Sequence, residues 1–190
     1  MMKKILLFIT MLFAMVPVLV NAVELPEKTN HEKVTIYIFR GHGCGHCHEA
    51  LEYFYNNKDT YGDYFDVVTY EVWKNSENSE FMKTVANSFG DSVNGVPYIV
   101  IGASYTNTNG FGASNAEEIV TAALEAYADE EYHDVVKELA KENDKIESKD
   151  LEESCREEGI IAGKYDAVII ITILIVVLGG GFLLIKLARN

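Results

Sequence analysis

Between Val34 and Asn57 the apolar pattern switches period, and the switch falls on Cys44-Gly45-His46-Cys47. Upstream, Val34-Thr35-Ile36-Tyr37-Ile38-Phe39 is a continuous β-branched and aromatic run that predicts a buried strand. Downstream, Ala50, Leu51, Phe54 and Tyr55 recur at helical spacing and predict an amphipathic helix over His48 to Asn57. A strand running directly into a helix calls for an α/β architecture. It also sets two thiols in the first helical turn, where unpaired N–H groups favour thiolate over thiol. Such a C-x-x-C is predisposed to dithiol–disulfide exchange.

The rest of the chain supplies the matching elements. Tyr61-Gly62-Asp63 marks a turn, and residues 65–73 read as a second strand. Asn75 to Asn78 caps a second helix with Phe81, Val85, Ala86 and Phe89 on its apolar face, and Gly90 ends it. Asn94-Gly95-Val96-Pro97 then opens the buried strand Tyr98-Ile99-Val100-Ile101. Gly102 to Asn109 reads as a turn into a short antiparallel partner. Ser114 or Asn115 is the candidate cap of a third helix, with Ile119, Val120, Ala123, Leu124 and Tyr127 facing inward. The order is strand, helix, strand, helix, strand, strand, helix, enough to bury one core with helices on both faces of a sheet. Tyr53, Phe54, Phe65, Trp73, Phe81 and Phe89 are read as core aromatics.

Both ends of the chain are apolar. Met1-Met2-Lys3-Lys4, an apolar run from Ile5 to Val20 and the small residues of Val20-Asn21-Ala22 predict a signal peptide over residues 1–22. An uncleaved anchor is the competing expectation. Residues 23–32 read as a linker. Ala167 to Ile185 carries no charge, and at the helical rise it spans about 29 Å, close to a bilayer's hydrocarbon core. We therefore expect a single transmembrane helix over residues 166–185. Lys186 and Arg189 outnumber Lys164, which favours a cytoplasmic tail over residues 186–190 and an extracytoplasmic main domain. A bacterial plasma membrane is the favoured location, and a eukaryotic secretory membrane stays open. Between domain and membrane, residues 129–165 are dense in Glu, Asp and Lys with a narrow seam at Tyr132, Val135, Val136 and Leu139. They read as a helix followed by a solvated acidic stalk. The formal charge of −13 argues against nucleic acid as a partner.

Strand-Cys-Gly-His-Cys-helix, Gly95-Val96-Pro97 opening a later strand, and Gly110-Phe111-Gly112-Ala113 leading into the last helix together resemble the thioredoxin superfamily. The resemblance covers residues 33–128, and the Gly45-His46 dipeptide is similar to the site of protein disulfide isomerase. It implies a thioredoxin fold and a thiol–disulfide oxidoreductase acting on exported protein substrates, with a separate redox partner protein and no dissociable cofactor or metal. It further implies that Cys44 is the exposed nucleophile, Cys47 the resolving thiol, and His46 a stabiliser of the thiolate. Val96 would pair with extended substrate, and Pro97 would follow a cis bond. One departure is Ile38, which stands where many relatives carry a buried carboxylate. Glu71 is a candidate substitute, though a strand-face position explains it as well. Arg40 reads either as a thiolate stabiliser or as a solvated loop residue.

Two other chemistries compete for the same motif. Cys44-Gly-His-Cys47-His48 spells the attachment site of c-type haem, with Met82, His31 and His133 as candidate distal ligands. Cys44 and Cys47 with His42, His46 and His48 also suit copper or zinc carriage. Cys155 stands alone near the membrane end, as an intermolecular partner or an incidental stalk residue.

Overall fold

The computed structural model describes residues 25–28, 32–103, 105–108 and 110–161. They form an α/β domain of five strands and five helices. The strands are β1 (Val34–Arg40), β2 (Phe65–Glu71), β3 (Tyr98–Ile101), β4 (Tyr105–Asn107) and β5 (Ser148–Asp150). The helices are α1 (Gly45–Tyr61), α2 (Ser76–Phe89), α3 (Ala113–Ala128), α4 (Val135–Lys141) and α5 (Leu151–Glu157). The sheet order is β4-β3-β1-β2-β5, with β1 and β2 parallel and every other pairing antiparallel. β1 lies at the centre, Ile36 facing Val67 on one side and Ile101 on the other. A strand covered on both faces must be apolar throughout, which accounts for its uninterrupted sequence.

Alternate residues of β1 serve two half-cores. Val34, Ile36 and Ile38 face Ala50 and Phe54 of α1 and Ile119, Val120, Ala123 and Leu124 of α3. Tyr37 and Phe39 face the other way, against Phe81, Met82, Val85 and Ala86 of α2 and Val136 of α4. Phe39 stacks on Tyr70 at 5.2 Å and on Tyr98 at 5.8 Å between ring centroids. Asn75 caps α2 by accepting from the Asn78 N–H at 3.0 Å, and Gly90 ends it in the left-handed region at φ 72°. α1 starts earlier than the apolar spacing predicts, because Cys44 itself is its cap, and it runs on to Tyr61, where Gly62 closes it by donating to Lys58 O.

The largest revision concerns residues 129–165. Up to Ile161, the last described residue, the segment is no solvated stalk but part of the fold. Asp134 caps α4 and accepts a 2.9 Å bond from the Tyr37 hydroxyl. β5 extends the sheet, Thr69 facing Lys149 and Tyr70 facing Ser148. The buried Asn78 side chain ties this return down: its amide donates to Glu71 O at 2.9 Å and Glu147 O at 2.8 Å, and its oxygen accepts from Glu147 N at 2.9 Å. α5 then lies along α1, burying Ser154 and Cys155. An edge strand and a short helix with one inward face need few apolar residues, so the hydrophobic pattern that reveals the other elements is missing here.

Trp73 is also revised: it is 61% exposed, whereas Phe54, Phe65 and Phe81 are core residues as expected. The predicted signal peptide, transmembrane helix and cytoplasmic tail lie outside the described residues. Among those described, no helix is long and apolar enough to cross a membrane.

Candidate active site

β1 ends at Arg40, and residues 41–43 carry the chain to Cys44, whose N–H donates to Gly41 O at 3.1 Å. Cys44 sits at the N-cap of α1, where its sulfur accepts from the Cys47 N–H at 3.3 Å. The two cysteines form a disulfide, with Cα atoms 5.2 Å apart. Cys44 is the outer sulfur residue at 9% exposure and Cys47 the inner one at 2%. Reduction would place any negative charge on Cys44 at the positive end of a 17-residue helix, where it is stabilised.

From across the fold, the loop before β3 meets this sulfur. The Val96–Pro97 peptide bond is cis, and Cys44 Sγ lies 3.8 Å from the Val96 carbonyl oxygen. Gly45 and His46 are exposed between the cysteines. His46 Nδ1 sits 3.2 Å from Glu49 Oε2, an exposed pair of small energetic weight. Sequence-distant residues thus converge on one sulfur, held by a helix start on one side and a proline loop on the other.

Around this centre, several side chains take positions the sequence does not announce. Ile38 is fully buried in the apolar core, so no carboxylate stands at that point. Glu71 is a brace for the loops: its carboxylate accepts from the N–H groups of His42 at 3.1 Å, Trp73 at 3.0 Å and Lys74 at 2.9 Å. Arg40 is not solvated. Its side chain is completely buried, with Nε donating to Thr69 Oγ1 at 3.3 Å, Nη1 to Glu158 Oε1 at 2.7 Å and Nη2 to Glu157. Burial acts to raise the carboxyl of Glu157, but hydrogen bonds from Lys149 and Arg40 and their charges outweigh it and hold it low. Glu158 also reaches the loop before Cys44, lying 3.0 Å from His42 Nδ1 and accepting the Gly43 N–H at 3.0 Å.

Trp73 lies flat over Gly41, so close that a side-chain carbon on Gly41 would collide with the indole. Only glycine permits this approach, and the ring's outer face stays open beside the cysteine loop. Cys155, by contrast, is wholly buried with its sulfur 3.7 Å from Leu51 O. Burial pushes its thiol up to about 11, which disfavours the reactive thiolate.

The geometry also bears on the competing chemistries. Met82 belongs to the half-core on the opposite sheet face from α1, so it cannot serve as the distal ligand of a haem attached at Cys44 and Cys47. His133 pairs with Glu138 at 3.2 Å, and His31 lies outside the described residues. His42 and His46 are engaged with carboxylates, and among the described residues no three His, Cys, Asp or Glu side chains converge on a metal position. Two surface grooves, one beside Tyr127 and Tyr132 and one beside Phe54 and Leu151, are lined by neither Cys44 nor Cys47. In comparisons with known proteins, the chain matches no family model, no curated protein and no solved structure.

Proposed function

We propose that this chain is a thioredoxin-like thiol–disulfide oxidoreductase that acts on exported proteins through Cys44 and Cys47. The observation that carries the reading is the outer Cys44 sulfur. It caps α1, is disulfide-bonded to Cys47, and faces the carbonyl of Val96 ahead of cis Pro97. The element order from β1 to α3 agrees with the same resemblance.

In the oxidised form a substrate thiolate attacks Cys44 Sγ. The Cys44–Cys47 bond breaks, a substrate–Cys44 disulfide forms, and the electron pair leaves on Cys47, which takes a proton. A second substrate thiolate then attacks the substrate sulfur of that mixed disulfide, expelling Cys44 as a thiolate. Two electrons have passed from the substrate dithiol to the Cys44–Cys47 pair. The reverse sequence reduces a substrate disulfide, Cys44 attacking and Cys47 resolving. The helix start lowers the cost of the Cys44 anion in both directions. His46, when protonated, adds to this, which favours oxidation or isomerisation over net reduction.

Substrate backbone would pair with Val96, and the open face of Trp73 offers an apolar contact for a flanking side chain. A separate dithiol–disulfide protein resets the couple. The same proposal takes residues 1–22 as an export signal and residues 166–185 as a single membrane anchor, with the domain extracytoplasmic. The test is turnover of a disulfide-bonded model protein by the purified full-length chain in a glutathione buffer. Exchange that disappears in Cys44→Ala supports the reading. Equal rates for the two proteins end it.

A further inference from the structure

The loop from Gly41 to Gly43 is held from a residue 115 positions beyond Gly43. Glu158 follows α5, and its side chain is only 6% exposed. One carboxylate oxygen accepts from Arg40 and lies against His42 Nδ1; the other accepts the Gly43 N–H. Arg40 is anchored in the sheet, so the carboxylate is a rigid bridge from the interior to the residues immediately before Cys44. We propose that Glu158 is a positioning residue for the Cys44–Cys47 couple, clamping His42 and Gly43 against buried Arg40 and setting how readily the disulfide is reduced. The inference rests on the disulfide-exchange reading and adds to it a control point in the C-terminal segment.

Charge decides the direction. Reduction adds two electrons to the couple, and the anion develops on Cys44, one residue from the clamp. The charged and titratable groups around the clamp are Arg40 of β1, Glu157 with Lys149, His42 of the loop and Glu71 of β2, with His46 and Glu49 beyond on α1. Glu157 and Glu158 are matched by Arg40 and Lys149, and Glu71, bonded to the same loop, adds a third carboxylate, so the cluster leans negative next to the developing thiolate. Glu158 therefore holds the couple toward the disulfide. Removing its charge at this range and in a partly buried setting favours the reduced form by about tenfold. Arg40 and Gly43 bond to different oxygens of Glu158, and in glutamine one of these becomes an NH2 that cannot accept, so in this placement the clamp opens on one side.

The experiment equilibrates the purified full-length chain with glutathione buffers and reads the state of Cys44 and Cys47 by alkylation. It also records the iodoacetamide rate of the reduced protein at pH 6. Glu158→Gln is expected to move the equilibrium about tenfold toward the dithiol and to speed alkylation by a similar factor. Glu157→Gln also removes a partner of Arg40 but touches neither His42 nor Gly43, so its shift is expected to be smaller than threefold. A Glu158→Gln shift of twofold or more toward the dithiol, exceeding that of Glu157→Gln, upholds the proposal. A smaller shift, an opposite one, or equal shifts in the two variants overturn it. If Glu158→Gln fails to fold, Glu158→Asp keeps the charge near Arg40 but shortens the reach to Gly43. A change of twofold or more then upholds the clamp, and less overturns it. Equilibration with glutathione needs no protein substrate. A wild-type chain inert toward protein disulfides would thus sink the proposed function and leave the Glu158 result readable.

Discussion

The β1–α1 unit and the return segment from α4 to α5 are built by opposite means. In the first, Val34, Ile36, Ile38, Ala50 and Phe54 form a continuous apolar surface, and the strand and helix interlock by burying it. In the second, only Val136 and Cys155 are fully buried apolar side chains, and attachment runs through Asn78, Thr69, Ser154 and the Arg40 pairs. Apolar burial is non-directional and tolerates imprecision, whereas a buried guanidinium demands its partners at bonding distance. One protein therefore has a forgiving half and an exacting half, and the cysteine loop lies where they meet.

The contrast is sharpest among the cysteines. Cys44→Ala should abolish disulfide exchange, while Cys155→Ala should leave the turnover rate within twofold of wild type; assays of both variants on one model substrate check this. An equal loss in the two would mean that the return segment carries chemistry of its own.

Next in size are the stability effects. Arg40→Ala strips the guanidinium from nearly buried Glu158 and leaves Glu157 with Lys149 alone, and should cost about 3–5 kcal/mol. Phe54→Ala, a cavity in the apolar half, should cost a similar ~3–5 kcal/mol. Urea titrations monitored by circular dichroism measure both. A loss below about 1 kcal/mol for Arg40→Ala would reduce the return segment to a surface attachment.

Titration separates the halves further. The Cys155 thiol is raised from 9.0 to about 11, so its stabilising effect is complete below pH 9.0 and is lost as pH climbs toward about 11. Glu157 is held below its ordinary 4.5, so its contribution is present above that pH and disappears as acid protonates the carboxylate. Thermal midpoints across both ranges should fall at each end, and Cys155→Ala should remove part of the alkaline loss. An unchanged alkaline slope in that variant would contradict the buried-thiol account.

The smallest expected effect is at Trp73. With one face open, Trp73→Ala should change stability by less than about 0.5 kcal/mol. It should nevertheless raise KM for a protein substrate severalfold while leaving equilibration with glutathione unaltered. A matching loss with glutathione would show that the indole acts by holding the Gly41 loop instead of touching substrate.

How much of this was legible depended on the kind of interaction. β1, β2, β3, α2 and α3 follow from runs and periods of apolar residues, and the Gly90 stop and the Asn75 cap from local backbone chemistry. The cis Val96–Pro97 bond was expected from family resemblance and not from the residues alone. The roles of Arg40, Glu71 and Glu158 could not be read, because a charged residue in a sequence carries no sign of whether its partner lies nearby in space. Trp73 misled because large aromatics are usually inside; here the glycine beneath it, itself one of three in Gly41-His42-Gly43-Cys44-Gly45, was the available clue.

The amino-acid sequence by itself determined a central apolar strand, a helix beginning at two thiols, and the order of the elements around them, since each depends on neighbours a few residues apart. Tertiary structure alone decided that Val96 meets Cys44, that an acidic C-terminal segment becomes an edge strand and a helix, and that Glu158 grips the loop before Cys44. Those outcomes rest on pairing between polar groups 52 to 118 positions apart, where direction and distance, not composition, set the energy.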